Sequence, residues 1–506
     1  MTFISAANEL SDVVVIGGGP AGAAISRLLA LGGHRVVVVA RPGDDRRGLA
    51  ESLPPSTRKV LAAVGALEAM EASGICRNTG NEVWWGSSDA RTETFGGEDA
   101  AQGFQVWRPQ FDRLLADRAM AAGVTWCEGN VRHVDLDGDA FVTTTFDAPD
   151  GTPTPLLSNY VVDCSGRAGV IARRTRRAVG TRRTHAWIGM WECAPSAWNA
   201  QATKTLVETF EDGWAWSVPI SATRRCVTVM IDPELTPGVG PGRFADRYRA
   251  QLDKTTHVRR FVENARLEAA WGCDASQYTN TSSASDVGGP RHLLVGDAVS
   301  FIDPLSSFGV KKALTSAWMG AAVVHSALTR PSIDDAARGL FAEREREVQT
   351  TSVLRSVDYA REAAARHQTP FWMERAHVPS GLMPIETDEV VDRGVGLAAA
   401  LTALRQSPEI HLRPGRSLRF EWQPAIRGHR VELERAVASA GMRRAVRFVD
   451  NVDLTRLVEM AGHYRQVGEL FEGYCRATSP VPLPSFLKAL AVLVARQMLE
   501  PADRRL

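Results

Sequence analysis

The chain has 506 residues, 44% of them hydrophobic, and sets 59 Lys and Arg against 58 Asp and Glu for a formal charge of +1. One core rarely serves that length, so two or three domains are expected, and the charge balance creates no global field that would recruit nucleic acid or an anionic membrane surface. The seven cysteines (Cys76, Cys127, Cys164, Cys193, Cys226, Cys273 and Cys475) form no C-x-x-C pair and no Cys/His cluster, and no apolar run or basic leader marks a membrane span or signal peptide, so a cytoplasmic protein with reduced thiols and no metal site is expected.

Residues 13–16 read as a buried apolar strand running into Gly17-x-Gly19-x-x-Gly22, where missing side chains let a turn close and let the backbone approach a pyrophosphate at a helix N-terminus. A helix over 21–31 and a strand over 35–39 complete a βαβ start. The acidic residue that commonly holds ribose hydroxyls about 20 positions after such a loop is replaced by Ala40 and Arg41, with Asp44 or Asp45 as possible substitutes. Segment 57–70 has helical spacing, with Val60, Leu61, Val64 and Leu67 on one core-facing side, and 110–122 is an amphipathic helix led by Arg108. Between 131 and 162 short strands alternate with turn signals at 137–139 and 149–151. From 183 to 285 a second sheet is expected, with β-rich runs at 187–191, 206–210 and 225–231. Within it Trp214 and Trp216 lie two apart and share one face of a strand, either as a wall over a bound ligand or as a core pair. Residues 294–298 place Asp297 after an apolar strand and a glycine, where a carboxylate can accept hydrogen bonds from a ribityl chain. The turn 303–310 leads into a long helix through 324; a charged helix follows over 334–365, broken at 368–372, and a further unit starts near 412.

Taken together and in order, these pieces resemble the glutathione-reductase-type FAD family, specifically its aromatic-hydroxylase and flavin-halogenase branch. Four further stretches carry the resemblance: Gly48-x-x-Glu51-Ser52-Leu53-Pro54-Pro55-Ser56, Trp107-Arg108-Pro109-Gln110-Phe111-Asp112, Asp163-Cys164-Ser165-Gly166 and Asp303-Pro304-Leu305-x-x-x-Gly309. The stretch from Gly213 to Pro219 is similar to the W-x-W-x-I-P motif of flavin-dependent halogenases, with Val218 in place of Ile. The resemblance, which covers roughly residues 11–330, implies an α/β fold: a Rossmann-like FAD-binding domain from 1–180 and 288–330 and a mixed β-sheet covering domain at 181–287; beyond it the chain reads as a helical region at 331–410 and a helical module at 411–506 that weakly resembles a winged helix. It assigns FAD to Gly17, Gly19, Ala21, Gly22, Arg41, Ser52, Arg108, Asp163, Gly166, Asp297, Pro304, Gly309 and Val310. The tail is either a lid over the active site or a docking module for a peptide or carrier-bound substrate.

Two departures from the halogenase pattern bear on the reaction. Halogenases of this branch carry Ser or Thr before the glycine of the second turn, where the halide binds, and here Phe308 stands there. They also carry a lysine after the G-E-x-x-x-P stretch, whereas 78–85 contains none and Lys59 reads as a surface cation. The expected chemistry is oxygen transfer, in which reduced FAD adds O2 at C4a and passes the distal oxygen to an aromatic, indole-type substrate, free or carried on a peptide or carrier. Trp214, Trp216 and Phe308 are the expected shaping residues, with Glu51 and His185 as candidate acid/base groups; Glu51 also reads as a helix-start carboxylate, His185 as a structural histidine and Glu192 as a third candidate. No second nucleotide loop is visible, so electrons come from transient NAD(P)H or a partner flavin reductase. Flavin halogenation, a flavin reductase or dehydrogenase, and a non-catalytic flavin-binding partner are the alternatives.

Overall fold

Strand Ser11–Ile16 is the axis of the main sheet in the computed structural model, which describes residues 10–43, 47–96, 101–138, 140–194, 198, 203–236, 243–306, 308–380, 382, 394–406, 409, 411–440, 442 and 444–502. Val13, Val14 and Val15 are each 0% exposed. A strand buried on both faces needs a continuous apolar run, and β-branched side chains fit its pleat, each contributing about 1.5–3 kcal/mol on burial. It pairs in parallel with Val36–Ala40 on one side and Pro153–Asp163 on the other, and Pro153–Asp163 pairs in parallel with His292–Leu294. The register sets Ile16 beside Asp163 and Asp163 beside Leu294. Three chain segments far apart in sequence therefore leave the carboxyl edge of the sheet side by side: Gly17 onward, Cys164 onward and Val295 onward. The strands Asn130–Asp135 and Val142–Asp147 form an antiparallel meander that leads into Pro153–Asp163.

Helix Pro20–Leu31 buries Ala21, Gly22, Ala23 and Ala24 and packs against helices Arg108–Met120 and Gly309–Thr329. Small residues recur on Gly309–Thr329 as well; a Cβ on Gly320 would meet Val295 at 3.0 Å and Ile25 at 3.2 Å. The expected single helix over 57–70 is instead two short ones, Arg58–Ala63 and Leu67–Ala72. Gly65 separates them with φ +69°, and Arg27 donates to the carbonyl of Val64 at 3.0 Å, ending the first helix.

The second sheet runs in the order Arg266–Asp274, His185–Glu192, Arg224–Ile231, Gly213–Pro219, Thr205–Phe210, Gly80–Trp84 and Arg91–Thr94. All neighbours are antiparallel except Thr205–Phe210 with Gly80–Trp84. That parallel pairing carries residues from the first hundred into the covering sheet. Helices Asp334–Ala364 and Pro370–Arg375 close one side of it: Ala360, Ala363, Phe371 and Trp372 share a core with Ile188, Trp214 and Val218, and Trp372 Nε1 donates to Phe210 O at 2.8 Å.

By internal packing, residues 1–383 with 428–430 form one unit and 384–427 with 431–506 a second. The second gathers helices Gly394–Gln406, Leu454–Ala461, Val467–Ala477 and Leu483–Ala495 around Leu457, Tyr474, Phe486 and Leu490. Asp453 caps Leu454–Ala461 by accepting from Arg456 N at 3.2 Å. Among the described residues no helix is long and apolar enough to cross a membrane, and no group of three or more His, Cys, Asp or Glu could hold a metal ion.

Candidate functional site

The carboxyl edge of the main sheet opens into a cavity of about 2170 Å³. Gly17 sits at φ +102°, a conformation that disfavours L side chains, and a Cβ on Gly22 would stand 1.8 Å from Gly17 O. Only glycine closes this turn. Gly19 caps helix Pro20–Leu31 with Pro20 in its first turn and no acidic residue there, so the free N–H groups and the positive end of the dipole are offered to an anion.

Opposite the turn, strand Ala50–Leu53 brings Glu51 to the wall, and the start of helix Arg108–Met120 brings Arg108. Arg108 donates to both oxygens of Asp112, at 2.9 and 3.0 Å, and lies 3.7 Å from Glu51 Oε1. Burial raises the Glu51 carboxyl from 4.5 to about 7; Arg108 pulls it down, and Asp297 and Asp112 push it further up. Despite its own burial, Arg108 is held protonated by Asp112 and Glu51.

Asp297 follows the strand His292–Leu294 and faces the same cavity. Its Oδ1 is buried and accepts no hydrogen bond among the described residues, with Lys312 Nζ at 3.9 Å. Lys312, which sequence reasoning passed over, is the hidden organiser of this corner. Its side chain is 3% exposed; it donates to Gly296 O at 2.8 Å and to Ser300 O, and lies 3.9 Å from Glu345 Oε2. A pair of lysines in the first turn of a helix with no other Lys, Arg, Asp or Glu marks the position in the sequence, but not that one of the two is buried. Trp126 is a second omission: it lines the cavity and would collide with any Cβ on Gly18, at 2.5 Å.

Of the residues singled out in the sequence, Gly17, Gly19, Ala21, Arg41, Glu51, Arg108, Gly166, Trp216, Asp297, Pro304, Gly309 and Val310 line this cavity. Seven others stand off its wall. Gly22 is turned toward Gly17 and serves the turn itself. Ser52 follows Glu51 on a strand and so faces the opposite side, where its Oγ accepts from Asn78 and Thr205. Asp163 is 0% exposed, and its carboxylate is consumed by four donors: Ser165 N, Ser165 Oγ, Ile171 N and Ala172 N, at 2.6–3.0 Å. It fixes the loop that carries Gly166 and does not reach the cavity. His185 precedes the cavity-lining Ala186 and points away from it, its Nε2 buried without a hydrogen bond among the described residues. Phe308 precedes helix Gly309–Thr329, with Lys311 Nζ 5.0 Å from its ring centre. Trp214 stacks behind Trp216 at 5.1 Å and 25°. Glu192 pairs with Arg266 at the far end of its strand. Asp44 and Asp45 lie outside the described residues.

In the second turn, Asp303 accepts from Leu305 N at 3.0 Å and from Gln277 Nε2 at 3.3 Å, and burial raises its carboxyl. The turn therefore sets the start of helix Gly309–Thr329, which has no acidic residue in its first turn, against the cavity.

A glycine turn that tolerates no side chain, an anion-seeking helix start, an orphaned acceptor at Asp297 and a cavity long enough to join them fit an adenine dinucleotide carrying a flavin. These features define a flavin-binding α/β protein, with FAD as its cofactor. The chain belongs to the FAD binding domain family, whose pattern matches residues 10–325. It is 28% identical over 395 residues to a tryptophan 2-halogenase of Chondromyces crocatus, covering 76% of this chain and 74% of that protein. It is 29% identical over 377 residues to the flavin-dependent halogenase armH4 of Armillaria mellea, covering 68% and 70%. Among solved structures, CmlS, a flavin-dependent halogenase, superposes with a TM-score of 0.76 at 22% identity over 98% of this chain and 97% of that one. The peptidyl tryptophan dihydroxylase QhpG gives a TM-score of 0.66 at 23% identity over 96% and 99%. At these identities the two structural matches establish a shared fold: a mixed α/β FAD-binding fold of the halogenase-like kind.

Proposed function

We propose that this chain is an FAD-dependent monooxygenase that hydroxylates an indole-type aromatic group, free or carried on a peptide or carrier. The observation that carries the reading is the cation set of the cavity: among the described residues it is lined by arginines, including Arg41, Arg108 and Arg167, and by no lysine. A guanidinium stays protonated in proteins and has no amine lone pair to capture an electrophilic halogen. Lys312 is sealed beneath Asp297 and donates to backbone carbonyls, and Phe308 stands where the resemblance calls for a halide-binding hydroxyl. The indole preference is supported by two relatives whose names specify tryptophan, the 2-halogenase and the peptidyl dihydroxylase.

When bound and reduced, FAD supplies the activation of dioxygen. The protein's part is to hold and to exclude. The Gly17–Gly22 turn and the start of helix Pro20–Leu31 would hold the pyrophosphate, and Asp297 Oδ1 would be free to accept from the ribityl chain. The start of helix Gly309–Thr329 favours negative charge on the reduced ring. Trp216, backed by Trp214, walls the reacting end from water. Glu51 Oε1, half protonated near neutrality and oriented by Arg108, exchanges a proton with the reacting group. Electrons arrive from NAD(P)H or a partner flavin reductase.

Halogenation is the second reading, favoured by the halogenase relatives. The two separate in one incubation: protein, a reduced-flavin supply, air, bromide, and tryptophan or tryptophan peptides. Oxygenated product without brominated product is expected; a brominated product would overturn the proposal.

A further inference from the structure

Four redox-active rings form a continuous file from the cavity to the surface. Trp216 lines the cavity. It stacks on Trp214 at 5.1 Å, Trp214 meets Trp85 edge-on at 6.2 Å, and Trp85 meets Tyr359 at 6.0 Å. Trp85 Nε1 also donates to the backbone carbonyl of Tyr359 at 2.9 Å, fixing the last junction. Trp214 and Trp85 are 4% and 3% exposed, whereas Tyr359 is 39% exposed. A branch from Trp85 to Trp372 at 5.5 Å ends in a ring only 2% exposed.

Cysteine thiols aside, indole and phenol rings release single electrons more readily than other uncharged side chains, and centre distances of this size put neighbouring ring edges in contact. The gradient of exposure gives the file a direction. An oxidised indole at Trp214 or Trp85 has no water to take its proton, so the vacancy moves on; at Tyr359 the phenol proton can leave to solvent and the vacancy is trapped there.

We propose that Trp216, Trp214, Trp85 and Tyr359 are an escape route for one-electron oxidising equivalents produced at the flavin when dioxygen is reduced without substrate present. The oxidant is of the hydroperoxyl-radical class. It takes one electron from Trp216 and one proton from solvent and leaves as hydrogen peroxide. Trp214 refills Trp216, Trp85 refills Trp214, and Tyr359 refills Trp85 while losing its phenolic proton to water. A thiol-class reductant in solution returns one electron and one proton to the Tyr359 radical. The indoles that shape the cavity are thereby spared covalent oxidation. The route requires bound FAD but is indifferent to whether the productive reaction hydroxylates or halogenates.

The test uses the full chain loaded with FAD, without oxygen, and a blue-light flash that makes the flavin itself the one-electron oxidant. Yellow absorbance reports loading separately. Wild-type protein is expected to show a neutral tyrosyl radical by transient absorption and electron paramagnetic resonance. Tyr359→Phe, a surface change, is expected to lose that signal and leave a shorter-lived tryptophan radical; Trp85→Phe should lose it as well by cutting the file one ring earlier. Peptide mapping after reductant and air without substrate should find oxidised Trp214 and Trp216 accumulating in Tyr359→Phe above wild type. Absence of a tyrosyl radical in the wild type, its survival in Tyr359→Phe, or equal tryptophan damage in both proteins overturns the proposal.

Discussion

Glu51 and Arg108 face each other across 3.7 Å on the wall of the flavin cavity, yet burial keeps the Glu51 carboxyl near 7. The guanidinium is already engaged with Asp112 through two hydrogen bonds, so it only partly offsets the desolvation of its second neighbour. The sign of the pH effect follows. In the unfolded chain the carboxyl ionises near 4.5, and in the folded chain near 7. Stability referable to Glu51 is therefore full below 4.5 and is lost as the pH rises to about 7, by about 3 kcal/mol. Thermal midpoints of the FAD-free protein should fall over that interval relative to those of Glu51→Gln, and parallel curves would contradict the assignment. In turnover the same variant should lose about 100-fold in kcat with KM little changed.

Gly22→Ala should abolish FAD retention, because the new methyl would sit 1.8 Å from Gly17 O. Gly339→Ala is the matched control. It lies inside helix Asp334–Ala364 with nothing within 4 Å of the added carbon, and should stabilise by about 0.5–1 kcal/mol. Flavin absorbance after gel filtration, with melting curves, reads both.

Asp297→Ala should separate binding from folding. Its Oδ1 is buried without a hydrogen bond among the described residues, so its removal should leave the FAD-free melting point unchanged or raised. FAD affinity should fall about tenfold or more, the worth of a charged hydrogen bond. Isothermal titration of the refolded protein measures this, and a parallel loss of stability and affinity would remove Asp297 from the cofactor site.

Lys312→Met should destabilise the chain by about 3–5 kcal/mol in denaturant titrations, since it leaves Glu345 buried without its cation and Gly296 O and Ser300 O without a donor. A loss below 1 kcal/mol would make this lysine a bystander.

Much of this site is legible in the chain because backbone demands leave marks on sequence. Gly17 and Gly22 are dictated by a turn, and the apolar strands before Gly17 and Asp297 by burial on both faces of one sheet. What the sequence leaves open is which way adjacent side chains point. Glu51 and Ser52, or His185 and Ala186, lie on opposite faces of their strands, and only the packed sheet decides which member meets the cavity. Asp163 carries a motif position but spends its carboxylate on its own loop, a choice made by local N–H groups that no spacing rule displays. Lys312 was hidden because a buried cation depends on partners 16 and 33 positions away, Gly296 and Glu345, brought together only by helix packing. The parallel pairing of Gly80–Trp84 with Thr205–Phe210 is likewise a long-range contact with no local signature.

Isotopically labelled dioxygen tests the central claim most directly. Protein loaded with FAD, supplied with a reductase and given a tryptophan-containing substrate in labelled oxygen and unlabelled water with bromide present should yield an indole product bearing label from the gas. A brominated product, or an oxygenated product whose oxygen comes from water, would contradict the account.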